Sequence, residues 1–74
     1  MTQEDIRDYH EIVTEAWKMF RSYADRVPLN DDEWQEVVNL TDDIVKRHTG
    51  HDRYARKAVM AVIDELEHLD RGEP

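Results

Sequence analysis

The chain has 74 residues, no cysteine and a net charge of −8, from 18 acids against 10 Lys and Arg. One domain of this size buries only roughly 60% of the surface its unfolded chain exposes, and without cysteine neither a disulfide nor a thiolate metal site staples it. The acidic balance argues against general DNA or RNA binding, whose affinity comes mainly from neutralising phosphates, and no apolar run has the length of a signal peptide or a membrane span.

Three helices are predicted, over about 3–26, 31–48 and 53–70, forming a single domain across 1–74. The first starts at Thr2 as N-cap, with Gln3, Glu4 and Asp5 in a first turn where acids suit the positive end of the helix dipole. Ile6, Tyr9, Val13, Ala16, Phe20, Tyr23 and Val27 then recur at alternating spacings of three and four. That is the heptad stripe of a helix packed on other helices. Ile12, Trp17, Met19 and Ala24 widen it on both sides to an arc of roughly 160°.

Pro28 ends this helix, because it disfavours helical geometry at Val27 and cannot continue the hydrogen-bond ladder. Asn30 and Glu33 stand at N-cap and N3 of the second helix as a capping box, and Leu29 and Trp34 are placed as a hydrophobic staple. The second stripe is Trp34, Val37, Val38, Thr41, Ile44, Val45 and His48, with Leu40 at its edge. Lys46, Arg47 and His48 complement the dipole in the last turn, and Gly50 is placed as the C′ residue. Asp52 is the expected N-cap of the third helix, whose stripe is Ala55, Ala58, Val59, Val62, Ile63, Leu66 and Leu69. The tail Arg71-Gly72-Glu73-Pro74 is expected to fray.

At ~1.5 Å per residue the first helix is about 37 Å long and the others about 27 Å. Short turns make sequential helices antiparallel neighbours, so the first overhangs its partners by roughly two turns. The overhang and the wide arc together predict a further helix supplied by another chain. The candidates for that contact are Ile12, Trp17, Met19 and Phe20, aromatic and long apolar groups of the kind that dominate interfaces. Met60 stands alone on the outer face of the third helix, which is ordinary.

The inventory for chemistry is thin. Ser22 is the one serine, and two glycines make no phosphate-binding loop. Glu65 and His68 form the Glu-x-x-His spacing of carboxylate-bridged metal bundles, but Glu65 sits at the edge of its stripe and His68 farther out, as ordinary helix surface. His48 and His51 flank the second turn, with His48 on the apolar side. A zinc site there needs a third and a fourth ligand, for which Asp52 and His10 qualify only if the fold brings them near. No catalytic, cofactor-binding or metal-ligating residue is assigned on this basis, and the chain reads as a non-enzyme.

Lys46, Arg47, Arg53, Arg56 and Lys57 make a locally basic stretch, whereas 30–43 holds acids and no Lys or Arg. Three of these cations open the third helix, where the dipole disfavours them. Pairing with Glu4, Asp5, Asp8 and Glu11 at the start of the first helix is expected to compensate them. The acidic patch of another subunit and a bound anion are the alternatives.

Three stretches carry a resemblance: Tyr9-His10-Glu11 leading to Ala16-Trp17-Lys18-Met19-Phe20, the turn Pro28-Leu29-Asn30-Asp31-Asp32-Glu33-Trp34, and 59–67 with Val59, Met60, Val62, Ile63 and Leu66. With them the chain resembles small uncharacterised helical proteins encoded in prophages and mobile elements of Gram-positive bacteria. The resemblance implies a phage-related setting and carries over no activity or catalytic residue. The expectation is therefore an all-α three-helix bundle, cytoplasmic and homo-oligomeric with a dimer favoured, acting through protein–protein interaction without a cofactor. The alternative is a nucleic-acid-linked regulator, either a helix-turn-helix reader using Arg53, Arg56 and Lys57 or an acidic DNA mimic.

Overall fold

The computed structural model describes residues 1–72 and holds α1 (Gln3–Ala24), α2 (Asp31–Arg47), a 3-10 turn (Thr49–His51) and α3 (Asp52–Asp70). Two capping boxes fix where the first two helices begin. The Asp5 N–H donates to Thr2 Oγ1 at 3.1 Å while the Thr2 N–H donates to Asp5 Oδ2 at 3.1 Å. Asn30 and Glu33 exchange the same pair of bonds at 2.8 and 3.0 Å. Each box satisfies two backbone N–H groups, one of them an orphan of the first helical turn. Leu29 is buried and Trp34 packs on the same core, as the staple requires.

Cross-helix contacts give the chain directions. Glu15 meets His48, Met19 meets Thr41 and Tyr23 meets Glu36, so rising numbers on α1 match falling numbers on α2 and the two are antiparallel. Asp5 and Asp8 reach His51, and the Leu29 N–H beyond the far end of α1 donates to Asp70 Oδ1 at 2.6 Å at the end of α3. α1 and α3 therefore run parallel, in the up-down-up order expected of a three-helix bundle. Truncation of Asp70 to alanine leaves the Leu29 amide without its charged acceptor in a part-buried turn, and is expected to cost about 1–3 kcal/mol in urea denaturation. D70N, which keeps an oxygen acceptor, is expected to cost less.

Ile12, Val37, Val59 and Leu66 are fully buried, joined by Ala16, Met19, Tyr23, Leu29, Ile44 and Ala55. The core face of α1 is thus Ile12, Ala16, Met19 and Tyr23. This corrects the stripe read from sequence: the helix is turned by about 60° from the centre of the Ile6–Val27 heptad. Ile6 and Val13, expected inside, are 50% and 47% exposed. The apolar arc is wider than two neighbouring helices cover, so one flank is buried and the other is left out.

Three local expectations change as well. Asp52 is the first residue of α3 and caps nothing, because the 3-10 turn runs straight into the helix and α3 has no side-chain cap. Gly50 is not in the left-handed region; the glycine with positive φ is Gly72, at +75° beyond α3, where its N–H reaches Leu69 O at 3.0 Å. α1 is the longest helix, as expected, but its overhang is smaller than expected: it stops at Ala24 with 22 residues, five more than the 17 of α2, and the 3-10 turn plus α3 span as many residues as α1. Of the tail expected to fray, Glu73 and Pro74 lie outside the described residues. Nothing stands within 4 Å of a Cβ placed on Gly50. Gly50→Ala is therefore expected to raise stability by about 0.4–1 kcal/mol by restricting the unfolded chain, visible as a higher thermal midpoint.

Candidate interaction surface

The flank of α1 left outside the core is an apolar seam. Ile6, Val13 and Trp17 are 50%, 47% and 56% exposed, and Phe20 is half-buried beside them. Their spacings of seven, four and three place them in one line along the helix. The Trp17 and Phe20 rings stack at 5.9 Å between centroids and 30° between planes. Helical geometry sets Arg7 and Arg21, both exposed, along the outer rim of this line.

Of the four residues expected to make a subunit contact, two lie on this seam and two do not. Trp17 and Phe20 belong to it, whereas Ile12 and Met19 are 0% and 3% exposed inside the chain's own core. Both fringes of the stripe are apolar, and the α2–α3 pair covers the Ile12–Met19 side. Met60 is half exposed, as expected, and lines an apolar groove of about 350 Å³ between α2 and α3 with Val45, Val59, Lys46 and Arg56. Leu40, Ile44 and Met19 floor a cleft of about 230 Å³ between α1 and α2, rimmed by Glu15, Lys18 and Arg47.

The basic stretch does not form one surface. Arg47 pairs with Glu15 at 3.1 Å, and Arg56 with Asp52 at 3.7 Å one turn back on its own helix. Among the described residues Lys46, Arg53 and Lys57 form no ion pair. The expected pairing of the α3 cations with Glu4, Asp5, Asp8 and Glu11 is corrected: His51 takes that place, because its ring arrives at the start of α1 ahead of Arg53.

Two histidines close the bundle at this end. His48, buried on the apolar side of α2, meets Glu15 Oε2 at 3.1 Å, the same oxygen that Arg47 reaches. His51 Nε2 stands 3.3 Å from Asp5 Oδ1 and 3.4 Å from Asp8 Oδ2. The Tyr9 ring lies tilted against His51 at 4.7 Å, and Tyr54 meets Tyr9 edge-on at 4.9 Å. The Asp5 carboxyl is held below its ordinary range, chiefly by the Thr2 backbone N–H, then by the Thr2 hydroxyl, with His51 adding less. Across the bundle Tyr23 is shifted up, first by burial and then by its hydrogen bond to Glu36.

Asp52 and His10, the ligands proposed to join His48 or His51, do neither: Asp52 turns to Arg56, and His10 is exposed on α1. Asp5 and Asp8 stand beside His51 instead. Their signal in the sequence is a pair of carboxylates three apart at the start of α1, on a face the bundle order sets beside the start of α3. Glu65 is exposed and His68 half-buried, and among the described residues neither joins a set of three ligands. No described helix is long and apolar enough to cross a membrane. Comparison with known proteins finds no matching family model, no matching curated protein and no matching solved structure.

Proposed function

We propose that this protein is a non-enzymatic interaction module that pairs with a second copy of itself through the exposed seam of α1, in a phage-related setting. The observation that supports the pairing is the line Ile6, Val13 and Trp17, each about half exposed, continuous with the half-buried Phe20. Contiguous apolar surface with a charged rim is the mark of a contact site, whereas single exposed apolar residues are ordinary. A second copy is the occupant we favour because a heptad-spaced line is self-complementary: two such helices interleave their side chains about a two-fold axis. The stacked aromatic pair of exposed Trp17 and half-buried Phe20 then supplies the centre of the contact.

Sedimentation equilibrium across the micromolar range tests this. The expected mass is twice the 8.9 kDa of one chain. A chain that stays monomeric through that range overturns the reading. The setting is tested separately by the neighbouring genes, where packaging, tail or repressor genes are expected; neighbours of unrelated metabolism count against it.

A further inference from the structure

We propose that Asp5, Asp8 and His51 bind one divalent transition-metal cation at the corner where the start of α1 meets the 3-10 turn. Three ligands of two chemical types converge here from two segments more than forty residues apart in the chain. The imidazole is what separates this corner from the acidic surface elsewhere on the molecule. It directs the preference to borderline cations such as Zn²⁺ and Co²⁺ and away from Mg²⁺ and Ca²⁺, which favour all-oxygen shells.

The distances suit an ion. Donors bound to one cation at about 2.0–2.2 Å stand roughly 3.0–3.6 Å from each other. His51 Nε2 already lies at 3.3 and 3.4 Å from the two carboxylate oxygens, and all three donor atoms fall within 4.8 Å of one another. The triangle is complete once the two carboxylate oxygens, no more than 4.8 Å apart, stand within about 3.6 Å of each other.

The surroundings orient each donor. The Asp5 carboxylate is split between tasks: Oδ2 accepts the Thr2 N–H, which fixes the group and leaves Oδ1 facing His51. Such outer hydrogen bonds to ligating groups are the usual support of a metal site. The His51 ring is held by Tyr9, which Tyr54 steadies in turn. The His51 side chain is 17% exposed while those of Asp5 and Asp8 are 39% and 44% exposed. The site is thus closed behind the imidazole and open in front, where water fills the remaining coordination positions. Two carboxylates and a neutral imidazole match the charge of a dication, and the net charge of −8 draws cations toward the molecule.

This site is independent of self-association, and its test is too. Zn²⁺ is titrated into the purified chain by calorimetry, and Co²⁺ is followed by its visible absorption bands. One site with a dissociation constant in the micromolar range is expected. H51A and D8N are expected to weaken it by about tenfold or more, with helical circular dichroism unchanged, while H10A binds as the parent chain does. Absence of saturable binding up to millimolar metal overturns the proposal. So does H51A that keeps the parent affinity, because the ion then sits elsewhere.

Discussion

Ile12→Ala is expected to destabilise the folded chain by about 2–5 kcal/mol, whereas Trp17→Ala is expected to cost about 1 kcal/mol or less. The contrast is the reverse of what residue size suggests. Ile12 has no exposed surface and lies on the α1 face that packs into the bundle, so its truncation leaves a cavity that the neighbouring helices fill only in part. Trp17 is more than half exposed, and its main described partner is the ring of Phe20 on its own helix. A chain of this length has a total stability of about 4–11 kcal/mol. The loss at Ile12 therefore removes a large part of it and lowers the urea midpoint sharply. The measurement is urea denaturation at a concentration low enough to keep the chain monomeric. A Trp17→Ala loss equal to that of Ile12→Ala would show that α1 is turned the other way in the bundle.

The second large effect concerns association. The double variant V13E/W17E is expected to weaken self-association by about 100-fold or more, since two charges replace the centre of an apolar contact and each such position is worth on the order of 2 kcal/mol. Val13 and Trp17 are both about half exposed in the single chain, so the fold itself is expected to survive, with unchanged helical circular dichroism. The readout is the sedimentation profile of the variant beside that of the parent. A variant that associates like the parent places the contact elsewhere, the apolar groove beside Met60 being the next surface to test. Zn²⁺ binding is expected to be the same in both, which keeps the two proposals separable.

How much could be read in advance varies along the chain. The capping box and staple from Leu29 to Trp34 were legible, because the capping bonds join residues three apart and depend on little else; the cis Val27–Pro28 bond and the Leu29 bond to Asp70 were not. The start of α1 was legible as an N-cap, although the reciprocal bond from Thr2 to Asp5 was not anticipated, since aspartate stands where glutamate or glutamine is usual. The second turn was misread. Gly50 invited a left-handed cap, but a 3-10 turn carries the chain into α3 and the positive φ falls at Gly72 instead. The His51 corner was half legible: bundle order set the start of α3 beside the acids of α1, but which side chain reached them depended on the path of that turn.

The sequence by itself determined that three amphipathic helices form, where α2 begins, and that α1 is apolar over more of its surface than two neighbours cover. Periodicity and capping are local, so the residues involved decide them without the rest of the chain. Only the tertiary structure decided which half of the α1 arc is core. Ile12, Ala16, Met19 and Tyr23 repeat at four, three and four, as regularly as Ile6, Val13, Trp17 and Phe20 do at seven, four and three. Two heptad registers thus lie side by side on one helix, equal in pattern. What separates them is how well each fills the space left by Val37, Ile44, Val59 and Leu66 on the facing helices, a matter of volume and contact between residues distant in the chain.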